Sequence, residues 1–477
     1  MQLEGAVDKE KNRVIFVESD GDFVDVLFTF LTMPMGEIVK LMRKYQQTKT
    51  VGCMDNLYAS IENLDSKCFS NETCRKMLLN PANGAATQCK KLKPQINDTK
   101  TFEFFSCENF SRCRLVSQYE GTICDCGKGM CLYAQFDNDI CGSQKDGGFV
   151  KRLTRVMISD ELQVMPLSTA SAFSFLSKLG VIDGNAIAGR TFDIGSIHKV
   201  VNLLKSSLVS ETSLTEILLK PNEIPEISKK TSKLYSFSLK TKSGDQYTSK
   251  GNDKIRIKLM LSKSNKKVCY AEAGEDFVDL LFSFLTVPLG YILKEMNGAV
   301  SNGCIHHLYN SIACLDVETY FKSDYHKEIL LSPKVAPNLG YENQLLRVEE
   351  AVHPEYHSVY SRNKLRFSID KLSIHNDPVH VKDPKLSDKV AKTSGGFVMM
   401  GPAMFTVTDD LIVTPISIVS GVSILSKLKV PFTDLEDRSV YVGTKEAVHL
   451  MIASFISESA LTDTSVSQIL KVPKQES

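Results

Sequence analysis

Five cysteines within one short stretch of the chain have the residue type and the spacing that metal binding requires. The run FSCENFSRCRLVSQYEGTICDCGKGMC, residues 105–131, contains Cys107, Cys113, Cys124, Cys126 and Cys131. Four thiolates on two adjacent loops can close a tetrahedral shell around Zn²⁺, and such closed shells are structural rather than catalytic. The run therefore predicts one structural zinc with four ligands: Cys107, Cys113, Cys124 and Cys126. Cys131 is an alternative ligand.

The same cysteines have a second interpretation as free, partly buried thiols of a cytosolic β-hairpin. Their spacing is not the repeated C-x2-C of most structural zinc sites, so the pattern alone does not select the metal. The chain also repeats itself, as shown below. The counterpart of this run, HSVYSRNKLRFSIDKLSIHNDP at residues 357–378, contains no cysteine. If both segments fold alike, the fold itself does not require zinc.

Other cysteines and two histidines have the types of catalytic or metal-binding residues. Cys53 and Cys304 occupy matching positions and could act as nucleophiles. Each lies on an apolar helical stripe, where a buried free cysteine behaves as a small hydrophobe, so we interpret both as core residues. His353 and His357 have the i, i+4 spacing that grips a metal on a helix. However, Pro354 follows His353 directly and favours a surface loop.

Two pairs of adjacent acids also lie at matching positions, Asp160–Glu161 and Asp409–Asp410. Paired carboxyl groups serve general acid–base catalysis when burial separates their pKa values. Here each pair interrupts a strand-like run, so we interpret each as a β-turn or an exposed hairpin tip.

The sequence segments that must position these residues occur twice in the chain. DFVDVLFTFLTMPMG at residues 22–36 and DFVDLLFSFLTVPLG at residues 276–290 agree at eleven of fifteen positions. Five further blocks recur in the same order, including GGFV at residues 147–150 and 395–398. Two copies are fewer than a solenoid needs, so the pattern indicates one domain in tandem.

The predicted boundaries of the two copies follow from these blocks. Copy 1 spans residues 1–220 and carries the Cys-rich insert at 105–131, and copy 2 spans 253–477 without the cysteine cluster. Residues 221–252 are rich in Lys, Ser, Thr and Pro, as is typical of a surface linker.

The duplicated stretch predicts a helix that is buried on most of its circumference. Its polar residues Asp22, Asp25 and Thr29 form one narrow stripe, and Asp22 and Asp25 resemble a capping box. Pro34 cannot continue the helix. Strand-like and helical runs are mixed along the chain without regular βαβ alternation, which is typical of the α+β class. We expect two tandem homologous lobes, side by side or loosely linked, each a small, mostly antiparallel sheet packed with several helices.

Copy 2 begins with two alternating runs around a Ser-Asn-Lys turn, KIRIKLMLSKSNKKVCYAEAG at residues 254–274. This pattern predicts a β-hairpin. In copy 1 the first of these runs is reduced to QLEGAV, which predicts a shortened or altered first strand.

Several blocks of the chain resemble a plant family catalogued as domain of unknown function 674. The resemblance rests on RVIFVESDGDFVDVLFTFLTMPMG, GCMDNLY, CDCGK and ISDELQVMPLS, and it covers essentially the whole chain in both copies. It implies no established activity, substrate or mechanism. The reduced start of copy 1 departs from the usual start of the family.

The amino-acid composition limits the classes of protein to which this chain can belong. The 57 basic and 56 acidic residues give a net charge of +1, which leaves no electrostatic footprint for a nucleic acid. Apolar runs are shorter than the roughly 20 residues that span a bilayer, and the N-terminus lacks the features of a secretory signal. The odd count of 13 cysteines suits a reducing compartment. We expect a cytoplasmic protein without membrane association, and a nuclear location stays open.

These observations favour a non-enzymatic binding or scaffold protein with protein partners. The phosphate-binding motifs GxGxxG and GxxxxGK[ST] and the nucleophile elbow GxSxG are missing from the sequence, which identifies no catalytic or cofactor-binding residue. One alternative is an enzyme with an inter-lobe active site of unknown chemistry. A second alternative is a nucleic-acid-binding protein with a structural zinc.

Overall fold

A computed structural model of the chain describes most of its residues. The described ranges are 1–46, 52–89, 92, 103–136, 147–153, 155–220, 254–296, 303–341, 344–361, 364–368, 377–386, 396–399 and 403–469. The predicted linker at residues 221–252 lies outside them. Below, residues 1–220 are called the first half and residues 253–477 the second half.

Strands and helices are mixed along the chain, as the α+β prediction requires. The strands are β1 (Gln2–Asp8), β2 (Arg13–Asp20), β3 (Glu103–Ser106), β4 (Leu115–Ser117), β5 (Leu132–Phe136), β6 (Arg155–Ser159), β7 (Val164–Pro166), β8 (Ile187–Asp193), β9 (Ile255–Ser262), β10 (Val268–Ala273), β11 (Tyr356–Ser361), β12 (Lys364–Ser368), β13 (Asp377–Val381), β14 (Phe405–Thr408), β15 (Val413–Pro415) and β16 (Leu435–Val442).

The α-helices of the first half are α1 (Gly21–Thr32), α2 (Met35–Gln46), α3 (Met54–Asn63), α4 (Glu72–Leu79), α5 (Ala86–Cys89), α6 (Phe110–Cys113), α7 (Thr169–Lys178), α8 (Ile197–Val209) and α9 (Ser213–Leu219). Those of the second half are α10 (Glu275–Ser283), α11 (Leu289–Met296), α12 (Ile305–Cys314), α13 (Val317–Tyr320), α14 (Asp324–Leu331), α15 (Ile418–Leu428), α16 (Thr444–Ile456) and α17 (Ala460–Ile469). Among the described residues, no helix is both long enough and apolar enough to cross a membrane.

Each half contributes one five-stranded antiparallel sheet. The strand order is β7-β6-β2-β1-β8 in the first half and β15-β14-β10-β9-β16 in the second. The predicted hairpin of the second half is confirmed as β9 and β10. The expected shortening of the first strand amounts to a single residue, because β1 has seven residues against eight in β9 and pairs along its length with β8. Alternation explains this result, since Leu3 and Val7 are buried on one face of β1.

The duplicated stretch forms the buried helices α1 and α10, and its second aspartate has a role that the capping-box prediction missed. The side chain of Asp20, rather than Asp22, caps α1. Asp25 is buried, and its Oδ1 accepts the backbone N–H groups of Phe149 (2.6 Å) and Val150 (3.0 Å). The helix therefore holds the GGFV loop in place.

The second half repeats this clamp. Oδ1 of Asp279 accepts the N–H groups of Phe397 and Val398, each at 2.9 Å. A Cβ on Gly148 or Gly396 would lie 1.9 or 2.1 Å from the aspartate of its own clamp. Glycine at these positions lets the loop backbone approach the carboxylate, which accounts for the recurrence of the GGFV block.

The two halves exchange equivalent contacts. The N–H of Lys322 donates to Phe149 O (3.1 Å), and the N–H of Ser70 donates to Phe397 O (2.9 Å). Each GGFV loop is thus bonded to the other half of the chain. Likewise, the Oγ of Ser60 on α3 accepts from Val413 N on β15 at 2.9 Å, and the Oγ of Ser311 on α12 accepts from Val164 N on β7 at 2.9 Å.

Apolar packing also crosses between the halves. The rings of Phe28 and Phe321 stack at 6.1 Å between centroids, and those of Phe69 and Phe282 at 6.3 Å. All four residues belong to one hydrophobic core that includes residues of both halves. The expected loose link is therefore replaced by a shared core, which places the cysteine segment next to second-half strands.

The segment 103–136 and its cysteine-free counterpart build one closed barrel together. Its strand order is β11-β12-β5-β3-β4-β13, and the parallel pairs β12–β5 and β13–β4 join the halves. The barrel encloses six buried residues: Phe104, Phe110, Val116, Tyr356, Phe367 and Val379. The counterpart without cysteine thus completes the barrel that carries the cysteines.

The two clamps predict a pH-dependent stability. Burial raises the pKa of Asp25 and Asp279 to about 7, above the ordinary value of 3.8. The folded state therefore binds the protons of these two carboxyl groups more tightly than the unfolded state does. The resulting stabilisation is fully present below pH 4 and is lost as the pH rises toward 7. Between pH 8 and pH 6, each carboxyl group should contribute roughly 1 kcal/mol to this change.

The measurement compares urea unfolding of the wild type with that of a chain carrying Asp25→Asn and Asp279→Asn. Burial lowers the pKa of His353 to about 4, and this ring opposes the aspartates because it stays neutral when folded. Both chains contain His353, so its effect cancels in the difference between their free energies of unfolding. We expect the wild type to gain stability relative to the variant as the pH falls from 8 to 6. A constant difference would contradict the assignment.

Candidate metal centre

The cysteine segment is shaped by a short helix and a tight turn. Cys107 follows β3, and Cys113 is the last residue of α6. Further on, the N–H of Cys124 donates to Lys128 O (2.9 Å) and the N–H of Gly127 donates to Cys124 O (2.8 Å). Gly127 has a φ of +81°, a conformation that favours glycine, and the resulting loop turns Cys126 back toward α6.

These elements bring four of the five predicted cysteines together. The Sγ atoms of Cys107, Cys113, Cys124 and Cys126 all lie within 4.8 Å of one another. The Sγ atoms of Cys107 and Cys126 are 3.9 Å apart. In a tetrahedral shell with Zn–S bonds of about 2.3 Å, neighbouring sulfurs are about 3.8 Å apart. The donor set and its spacing therefore fit Zn²⁺ after only small movements.

The alternative ligand lies outside this group. Cys131 is solvent-exposed, and the structure does not place its sulfur with the other four. The sequence left Cys131 as an alternative to Cys126, because these two cysteines flank the same glycine-containing turn. The backbone hydrogen bonds of residues 124–128 close the turn that places the Cys126 sulfur beside the other three.

Burial differs among the four thiols. Cys107 and Cys124 are buried, Cys113 is half-buried and Cys126 is exposed. Desolvation raises the pKa of Cys107 to about 12, whereas the backbone N–H of Lys128 lowers the pKa of Cys126 to about 7. Cys126 is thus the thiol of this pair that ionises more readily, and Lys128 itself pairs with Glu108 at 2.7 Å.

The cluster is connected to the second half of the chain through β13. The N–H of Lys382 donates to Val116 O (2.7 Å), and the N–H of His380 donates to Arg114 O (3.1 Å) directly after Cys113. The side chain of Lys382 pairs with Asp125 at 2.5 Å, between Cys124 and Cys126. Cys113, Cys124 and Cys126 are therefore each adjacent to a residue that bonds to His380 or Lys382 at the end of β13.

A comparison with protein families identifies the chain. A family model described as "Protein of unknown function (DUF674)" matches residues 1–445. The chain belongs to the DUF674 family. No curated protein and no solved structure matches it.

The duplicated cysteines of the DUF674 chain are core residues, as the sequence predicted. Cys53 and Cys304 are buried, and burial raises the pKa of each to about 12. The Sγ of Cys53 lies 3.1 Å from Ser457 O, and that of Cys304 lies 3.0 Å from Ser213 Oγ. Thiols of such high pKa are protonated at neutral pH and are poor nucleophiles.

The acid pairs of the DUF674 chain lie in turns, but the expected exposed tip is wrong for Asp160. This residue is 2% exposed, and its carboxylate accepts from Arg13 Nε (2.7 Å) and from the N–H of Thr215 (2.7 Å). Asp409 accepts equivalent bonds from the N–H and hydroxyl of Thr462. The first acid of each pair therefore anchors a C-terminal helix, α9 or α17. The recurrence of the aspartate and of its threonine partner, Thr215 or Thr462, was a signal available in the sequence.

The two spaced histidines do not form a metal-binding helix. His353 lies in irregular chain and His357 lies in β11. The Nε2 of His353 is 3.0 Å from Asn338 Nδ2, and burial lowers the pKa of this half-buried imidazole. The loop interpretation therefore fits His353, which directly precedes Pro354. It is wrong for His357, which is buried within β11.

Proposed function

We propose that the DUF674 chain is a non-enzymatic binding or scaffold protein whose central barrel is stabilised by one structural Zn²⁺. The observation that carries the proposal is the group of four cysteine sulfurs within 4.8 Å of one another. When bound, zinc would be held by Cys107, Cys113, Cys124 and Cys126, and it would supply structural crosslinking. Four thiolate ligands fill a tetrahedral shell and leave no position for a substrate, which is the arrangement of structural sites.

The location of the cluster supports a structural role. A metal there would tie β3 and α6 to the turn at residues 124–128. The chain beside these segments contacts Lys382, the residue that follows β13, through Val116 O and Asp125. One ion would therefore stabilise the connection between the two halves as well as the fold of the first.

We also propose that the two halves are copies of one ancestral domain of plant origin. Three structural correspondences support the duplication: the equal strand order of the two sheets, the equal aspartate clamps, and the exchanged contacts of Ser60 and Ser311. Only the first copy acquired the cysteines.

Protein partners and a cytoplasmic or nuclear location belong to the same proposal. Apolar exposure on α15 supports the partner class, since Ile418 is 88% exposed and the adjacent Val419 is 79% exposed. Neighbouring exposed β-branched residues are more typical of a contact surface than of a free one. Proximity labelling by the full chain in plant cells tests this class, and enrichment of RNA in place of proteins would contradict it.

Metal analysis of the purified full chain tests the zinc proposal. We expect one zinc per chain in the wild type and in Cys131→Ser, and a loss of more than 90% of the metal in Cys107→Ala, because three thiolates hold zinc much more weakly than four. Circular dichroism and gel filtration check that the variants fold. Wild-type protein that carries no zinc and takes up none from a zinc buffer would contradict the proposal.

A further inference from the structure

The cysteine cluster has an uneven exposure that a purely structural site does not need. Cys107 is buried, whereas Cys126 is exposed at the surface. The two sulfurs are nevertheless only 3.9 Å apart. Redox-sensor cysteines are solvent-accessible and often lie next to a second cysteine that resolves the oxidised product.

We infer that the cluster is a redox switch, in which a hydroperoxide oxidises Cys126, Cys107 resolves the product as a disulfide, and zinc is released. The inference rests on the proposed function, because it concerns the regulation of the same site. It assigns different roles to two residues that are equal as ligands.

The first step is attack of the Cys126 sulfur on the outer oxygen of the hydroperoxide. The O–O bond breaks, an S–O bond forms, and the leaving hydroxide or alkoxide takes a proton from water. Cys126 becomes a sulfenic acid and loses two electrons, which reduce the peroxide. Its exposure selects Cys126 for this step, since the peroxide must reach the sulfur.

The second step forms the disulfide bond between Cys107 and Cys126. The Cys107 sulfur attacks the sulfenic sulfur, the S–O bond breaks, and hydroxide leaves as water after protonation. Only about 1.9 Å separates the observed 3.9 Å from a disulfide bond length, so rotation of the Cys126 side chain covers the distance. Zinc then retains two of its four ligands and dissociates to water.

Release of zinc should weaken the contact between the two halves of the chain. Asp125 precedes Cys126 directly and pairs with Lys382, the residue that follows β13. Moving Cys126 inward displaces Asp125, and loss of the metal frees the chain after Cys113, where Arg114 O accepts the His380 N–H. The amides of His380 and Lys382 thus report on the switch from the second half of the chain.

The test treats the zinc-loaded full chain with hydrogen peroxide and records zinc with a colorimetric chelator. We expect release of the metal together with a Cys107–Cys126 disulfide in peptide mass mapping. Deuterium uptake at His380 and Lys382 should rise at least tenfold. Cys131→Ser should release zinc as the wild type does, because this exposed thiol lies outside the cluster. Cys126→His keeps a zinc ligand but no thiol there, and it should release zinc at least tenfold more slowly.

The outcomes separate this inference from the proposed function. A chain without zinc before peroxide is added contradicts the proposed function and, with it, the switch. A loaded chain that keeps its zinc while Cys131 becomes oxidised contradicts the switch alone, as does release from Cys126→His at the wild-type rate. If Cys126→His does not hold zinc, the wild-type disulfide map decides, and a map without the Cys107–Cys126 bond overturns the inference.

Discussion

Gly148→Ala is expected to lower the free energy of unfolding by about 3–5 kcal/mol. The new Cβ would lie 1.9 Å from Oδ2 of Asp25, and the residue has a φ of +96°. Relief of the clash requires Asp25 to move away from the buried N–H groups of Phe149 and Val150, which then lose their acceptor. Urea unfolding followed by circular dichroism measures the loss.

Gly180→Ala is the matched control for this prediction. Gly180 has a similar φ of +75°, but no heavy atom lies within 4 Å of the position of its Cβ. Gly180→Ala should therefore lower the free energy of unfolding by about 1 kcal/mol, which is the cost of backbone strain alone. Equal losses in the two variants would mean that the clamp contributes nothing beyond backbone conformation.

Removal of zinc is the second change with a large expected effect. At a free zinc concentration about 1,000 times its dissociation constant, a ligand that binds only the folded state adds about 4 kcal/mol to the free energy of unfolding. A high-affinity chelator should remove this stabilisation from the barrel. The effect should be concentrated there, because the core of both five-stranded sheets contains none of the four ligands.

Hydrogen exchange in the full chain measures this effect. We expect chelation to raise exchange at Lys382 and His380, whose amides bond to the segment after Cys113, while Phe149 and Phe397 in the clamps stay protected. Cys107→Ala should be insensitive to the chelator. If chelation removes the zinc of the wild type but leaves exchange at β13 unchanged, the metal does not stabilise the barrel.

Local pattern was sufficient for several elements of this chain. The apolar circumference of residues 22–31 determined a buried helix, and alternation determined the β9–β10 hairpin. Cysteine type and spacing singled out five residues, of which four come together. Each of these features depends on a few side chains that are close together in sequence, so it can be predicted without the rest of the fold.

Other features depend on residues far apart in sequence, and only the tertiary structure decided them. Asp25 was visible as a polar residue of a helix, but its partners are 124 and 125 positions away. The local pattern at Asp160 predicts an exposed turn, whereas packing places Arg13 and Thr215 against its carboxylate.

By itself, the sequence determined the mixed helix and strand content, the repeated blocks and the cysteine-rich segment. The tertiary structure alone decided that the halves share one core and that β13 closes a barrel beside the cysteines. The physical reason is that periodicity records which side of an element is buried and not what buries it. A helix or strand buried by its own half has the same pattern as one that is buried by the other half.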